Sequence, residues 1–170
     1  MVDSLPNPDL QHAIDLHRSG QTEEAEQAYR KLVTSDDNNA QAWHFLGLLL
    51  NQTGRPIEGL AMMRLAIGLS PGVPEFHTNL AAALGALGRH DEAIAASIEA
   101  IRCDPQWPTG YLNLGVGYER ARRYAEAVSA YQNAIALDPN YADAYDNLGN
   151  TLRKLGRPVE ASMWQGIKAR

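Results

Sequence analysis

Apolar residues fall along this chain at spacings of three and four, and the whole arrangement returns every 34 residues. In one stretch Tyr111, Leu114 and Tyr118 are followed by Ala127, Val128, Tyr131 and Ile135. Each series lies on one face of a helix of 3.6 residues per turn. The same frame holds Leu46, Leu80, Leu114 and Leu148 in one column. The next column holds only small residues: Ala13, Gly47, Ala81, Gly115 and Gly149. A second small column runs Ala25, Gly59, Ala93, Ala127 and Ala161. A fixed period of this length signals a repeat architecture. It divides the chain into segments 6–39, 40–73, 74–107, 108–141 and a shortened 142–170.

Each segment predicts two helices. Gly54, Gly88 and Gly156 mark the turn between them, where a left-handed backbone costs glycine little. Pro71, Pro105 and Pro139 end the second helix, because proline disfavours helical geometry in the residue before it. The small columns let paired helices approach closely, and the tyrosines fill what space remains. The expectation is an all-α stack of antiparallel helix pairs, one domain over 6–170, in which each pair covers the apolar face of its neighbour.

The pattern Tyr111-x-x-Leu114-Gly115-x-x-Tyr118, then Ala127-x-x-x-Tyr131, then Pro139 resembles the tetratricopeptide repeat. Trp43-x-x-Leu46-Gly47 gives the same match with tryptophan in first place. The resemblance implies a right-handed superhelical solenoid whose first helices line a concave surface. Departures cluster at the ends. Asp9 and His12 stand at places usually aromatic or Leu, and Asp37 at one usually proline. Arg122 replaces a turn glycine, and Gln165 and Lys168 occupy places that are apolar or small elsewhere. Polar end repeats are expected of solenoid caps. Met163, Trp164 and Ile167 lie in the last helix with no following repeat to cover them. Trp164 is expected to pack inward; otherwise it marks a patch for self-association or for a further C-terminal region.

Asparagine is a mediocre helix former, yet Asn79, Asn113 and Asn147 recur in one slot. The resemblance places them in a line on the concave surface, one per repeat. The line is similar to the asparagine ladder in the repeat region of O-linked N-acetylglucosamine transferases, which holds extended polypeptides. Gln11 and Phe45 break it in the first two segments. A second reading stays open: the amides bond the backbone of the neighbouring repeat. The same face is expected to carry His44, Asn51, Glu119, Asp146, Asn150 and Arg153 as further peptide contacts. Repeats that clamp the EEVD tails of chaperones need lysines where this chain has Leu10, His44, Thr78, Leu112 and Asp146, which argues against that ligand. Arg55, Arg89, Arg123 and Arg157 recur at the turn, as solvated residues or as an edge for an anionic partner.

Charge and composition narrow the remaining classes. A net charge of −5 gives no support to a nucleic-acid surface. No apolar run approaches the roughly 18 residues of a membrane span. The single Cys103 excludes an intramolecular disulfide, reads as a small core residue and suits a reducing cytosol. The histidines show no metal-ligand spacing, and no nucleophile elbow or phosphate loop is present, so neither a metal, a cofactor nor autonomous catalysis is expected. The sequence thus predicts a cytoplasmic, non-catalytic scaffold holding an extended peptide or partner protein in its groove. The alternatives are the substrate-recruiting module of a larger enzyme, such as a bacterial glycosyltransferase similar to the O-linked N-acetylglucosamine transferases, and a homo-oligomer built through Trp164.

Overall fold

The computed structural model describes residues 7–168, and the described residues form α-helices joined by short turns. First helices are α1 (Pro8–Arg18), α3 (Ala40–Gln52), α5 (Pro74–Ala86), α7 (Pro108–Arg120) and α9 (Ala142–Lys154). Second helices are α2 (Thr22–Ser35), α4 (Pro56–Leu69), α6 (His90–Cys103), α8 (Tyr124–Leu137) and α10 (Pro158–Lys168). From Thr22 and Ala40 onward every helix starts 34 residues after its counterpart, so the sequence period sets the boundaries. Pro6, Ala169 and Arg170 lie outside the described residues, as do the side chains of Ile167 and Lys168.

The turns show why the frame repeats. Gly20, Gly54, Gly88 and Gly156 have φ between 72° and 82°, the left-handed geometry in which glycine carries no Cβ penalty. Arg122 fills that slot in the fourth repeat at φ 60°, against the usual preference. Second helices end two residues before Pro71, Pro105 and Pro139. Asp36 takes the same extended conformation as Asp104 and Asp138 although no proline follows it. The common element is the aspartate itself. Its Oδ1 accepts from the backbone N–H two residues on, at 3.1 Å in Asn38, 2.8 Å in Gln106 and 2.9 Å in Asn140.

The small columns are the seams of the pairs. A Cβ on Gly47 would stand 2.8 Å from Gly59 O, and one on Gly59 2.6 Å from Gly47 O. Ala13, Ala25, Ala127 and Ala161 are wholly buried.

The helices form two compact units, divided between Gly72 and Val73. In the first, Leu10, Tyr29, Leu46 and Leu50 centre the core, with Trp43 and Phe45 packed against it. In the second, Leu112, Tyr131, Tyr145, Leu148 and Leu152 do so. Trp164 is half-buried against this second core, its ring 6.0 Å from that of Tyr145, so it packs inward. Cys103 is half-buried at the end of α6.

Candidate functional site

Within each unit the first helices pack against one another in series, α1 on α3, and α5 on α7 on α9. The second helices of successive repeats do not touch: α2 and α4 are apart, as are α6 and α8. Each unit is therefore tighter on its first-helix side and curves toward it. That side is the concave face, and the helices that carry the candidate residues form it.

Asn113, half-buried on α7, donates from Nδ2 to the carbonyl oxygen of Thr78 on α5 at 2.9 Å. The amide thus joins its repeat to the preceding one. Its Oδ1 accepts from nothing among the described residues. Asn79 and Asn147 are half-buried in the same slot of α5 and α9, and Asn147 makes no bond of the Asn113 kind among the described residues.

Three other candidates, Asn51, Glu119 and Arg153, share one column with His17. This column faces the position twelve residues on, across the helix pair. In the first repeat His17 Nδ1 meets the Tyr29 hydroxyl at 3.4 Å. In the fourth, Tyr131 donates to Glu119 Oε2 at 3.0 Å, and in the fifth Arg153 donates to Gln165 Oε1 at 2.6 Å. Glu119 also accepts from Thr151 at 3.0 Å and pairs with Lys154 at 2.6 Å. Burial pushes its pKa upward, but the bonds from Lys154, Thr151 and Tyr131 outweigh that and hold it below the usual carboxylate range. Burial, reinforced by the Glu119 charge, drives the Tyr131 hydroxyl well above its ordinary value. Glu119 and Arg153 are committed to closing their own repeats. Asn51, half-buried, lies against the Gly59 seam.

His44 is 1% exposed on α3, and burial pushes its pKa down to about 4. It is a neutral interior group. Asp146 and Asn150 are exposed on α9, and Asn150 accepts from Arg153 Nη1 at 3.0 Å. The turn arginines each pair with the glutamate three residues on: Arg55 with Glu58, Arg89 with Glu92, Arg123 with Glu126 and Arg157 with Glu160, at 2.6 to 3.0 Å. Those glutamates sit in the first turn of the second helix, where the helix dipole also favours a negative charge. The arginine edge is neutralised along its length.

Helix pairs that repeat every 34 residues with a left-handed turn between them fit the resemblance carried by the sequence. Family models described as tetratricopeptide repeat match residues 10–74 and 74–96, and one described as TPR repeat matches 123–156. The chain belongs to the tetratricopeptide repeat family. Comparison with curated proteins returns no match. Among solved structures, a crystal structure of MamA aligns with a TM-score of 0.83 at 23% identity, over 92% of both chains. PilF of Pseudomonas aeruginosa aligns at 0.87 and 21%, over 95% of this chain and 74% of that one. PilW, described as a widely conserved type IV pilus biogenesis factor, aligns at 0.87 and 20%, over 98% and 77%. At these identities the likeness is one of fold.

Two features of this tetratricopeptide protein's concave faces are absent from the sequence reading. In the first unit a hollow of about 280 Å³ opens between α1 and α3, lined by Ile14, Phe45, Leu48, His17, Gln52 and Arg18. In the second, one of about 270 Å³ opens between α5 and α7, with Ala82, Ala86 and Val116 as floor and Asn113 and Arg120 at its rim. Arg18 and Arg120 occupy the same repeat position, three periods apart. That coincidence was the available signal. It is hidden because the intervening repeats hold Gln52 and Ala86 there.

Proposed function

We propose that this protein is a non-catalytic scaffold whose concave, first-helix faces hold an extended segment of a partner protein. The observation that carries the reading is Asn113. Its Nδ2 is fixed by the Thr78 carbonyl, which leaves Oδ1 oriented as an acceptor beside an open hollow. An amide held this way takes a peptide N–H without losing rotamer freedom on binding, so the ligand supplies most of the ordering cost. Repeat bonding and peptide bonding then use different atoms of one side chain. Asn79 and Asn147 occupy the same slot on α5 and α9, with Asp146 and Asn150 near Asn147 on α9, and are the further peptide contacts of this reading.

The test is site-specific photo-crosslinking in source-cell lysate. A crosslinking residue at Asn150 on the concave side is expected to capture a partner that one at Ala95, exposed on the second helix α6, does not. Excess unlabelled peptide from the captured partner should then compete. Capture from Ala95 alone would move the binding surface to the outer helices and refute the proposal.

Self-association is a second reading, favoured by Val159 and Met163, which stand 74% and 64% exposed on α10. Sedimentation of the wild type and of Val159→Glu/Met163→Glu tests it. A monomer in both excludes that route.

A further inference from the structure

We infer that the concave hollows read a particular side-chain pair: an apolar residue with an aspartate or glutamate two positions away in an extended segment. The inference rests on the peptide-binding reading above and specifies its ligand. The hollows, at about 270 and 280 Å³, lie at the small end of the roughly 300–1,000 Å³ of ligand sites and open along the first-helix faces. Each has room for a side chain of an extended segment. Their floors are apolar, from Phe45 and Leu48 in one and Ala82 and Val116 in the other.

Charge selects the second half of the pair. The chain carries 20 acidic residues against 15 lysines and arginines, so carboxylates are in surplus. Nevertheless neither Arg18 nor Arg120 pairs with one among the described residues. The cation at the same repeat position in the fifth repeat, Lys154, is paired with Glu119. Arg18 and Arg120 are the two positions of this column where an unneutralised guanidinium borders an apolar hollow. A planar guanidinium matches a carboxylate in a two-pronged contact. One guanidinium suits one carboxylate. A phosphate dianion would ask for more positive charge, and it would face the acceptor Oδ1 of Asn113.

Geometry sets the spacing. In an extended chain, side chains two residues apart share a face and lie roughly 6–7 Å apart. Val116 and Arg120 are one turn apart on α7, a rise of about 6 Å. The floor and the cation are thus in step with a residue pair of the form apolar-x-acidic.

The experiment is fluorescence anisotropy on the full chain with short labelled peptides, N-acetylated and C-amidated so that only side chains carry charge. The probes carry Leu-Ser-Glu, Leu-Ser-Gln, Ser-Ser-Glu or Leu-Ser-Lys in a Gly/Ser background, alongside an array of unrelated sequences. Leu-Ser-Glu is expected to bind about two- to fivefold more tightly than Leu-Ser-Gln, the advantage of one ion pair to an exposed arginine. The Arg18→Gln/Arg120→Gln variant should lose that advantage and leave Leu-Ser-Gln binding unchanged. Ala82→Phe, which fills the second hollow, should reduce the preference for Leu over Ser; circular dichroism confirms the fold of both. Equal binding of the Glu and Gln peptides by wild type, or an equal loss of both in the arginine variant, overturns the inference. Array peptides of other chemistry that bind and are lost in Asn113→Ala would overturn it while leaving the peptide-binding reading intact. Binding to no peptide overturns both.

Discussion

Replacing Gly59 by alanine tests whether the seam between α3 and α4 is as tight as the structure shows. The new Cβ would lie 2.6 Å from Gly47 O and 3.0 Å from Asn51 N. Ordinary contact begins near 3.4 Å, so the helices must part by about 0.8 Å. Both obstacles are backbone atoms, and no side-chain rotation relieves them. A gap of 0.5–1 Å forfeits a quarter to a half of the dispersion energy across it. The groups that lose contact are Leu46, Leu50, Leu60 and Met63, all buried at the pair. Overpacking of this kind costs about 1–3 kcal/mol, and rigid neighbours put this case at the upper end. Alanine recovers up to about 1 kcal/mol in helix propensity, which leaves a net loss near 2 kcal/mol. Gly68, on the same helix with open space around its Cα, is the internal control. There the same substitution is expected to be neutral or up to about 1 kcal/mol stabilising. Urea unfolding followed by far-UV circular dichroism should place the Gly59→Ala midpoint about 1 M below wild type, with Gly68→Ala at or above it. If the two variants move together, the close approach at Gly59 is wrong.

Three further outcomes follow from other parts of the molecule. Burial holds His44 neutral with its pKa near 4, so the unfolded chain binds this proton first. Stability should be full above about pH 6.5 and fall toward pH 4, by on the order of 3 kcal/mol in all, and urea midpoints across that window should flatten in His44→Leu. Glu119→Ala strips the acceptor from the hydroxyls of Tyr131 and Thr151, both buried, and should cost about 1–3 kcal/mol. Because the Glu119 pKa is lowered in the fold, its contribution is lost as pH falls below the usual carboxylate range, and Glu119→Ala should weaken acid sensitivity there. Arg122→Gly relieves a left-handed backbone worth about 1–2 kcal/mol, partly offset by the entropy glycine adds to the unfolded chain. Its thermal midpoint should rise by a few degrees, and a fall would show that the Arg122 side chain contributes more than its strained backbone costs.

The helix frame was legible because each of its determinants is local. A glycine at the turn, a small residue at the seam and a proline beyond the helix act within a few residues of where they stand. The turn at Asp36 lies outside the proline pattern, because the aspartate side chain holds it as it does at Asp104 and Asp138, whether or not a proline follows. Side-chain partners were less legible. Glu119 and Arg153 occupy first helices as expected, but whether such a residue faces a ligand or its own repeat depends on what stands twelve residues on. Tyr131 and Gln165 capture them. For the turn arginines both readings, solvated residue or edge for an anionic partner, were open in the sequence, and the glutamates three residues on decide between them by neutralising each one at the surface.

The columns that hold their residue type through the chain are those the fold consumes. Small residues fill the seams, glycine takes the turns and the Arg–Glu pairs start the second helices. A column whose side chain is wholly taken up by structural work cannot read a ligand's side chain, and the asparagine slot, with Asn113 Oδ1 left over, offers a contact to peptide backbone only. Side-chain recognition therefore belongs to columns that vary from repeat to repeat while remaining on the first-helix face. The position shared by Arg18, Gln52, Ala86, Arg120 and Lys154 is such a column. Its members differ in charge and size, yet all sit at or near the end of a first helix, where the carbonyl end of the helix dipole favours a cation. In the fifth repeat Lys154 is drawn back into the fold by Glu119, which leaves the first and fourth repeats to supply the free charge. Exchanging Ala86 for arginine would add a second cation to the α5–α7 hollow, beside Arg120. If this column reads the ligand, that variant should bind acidic peptides more tightly with little change in stability, whereas a structural column would respond in the unfolding midpoint instead.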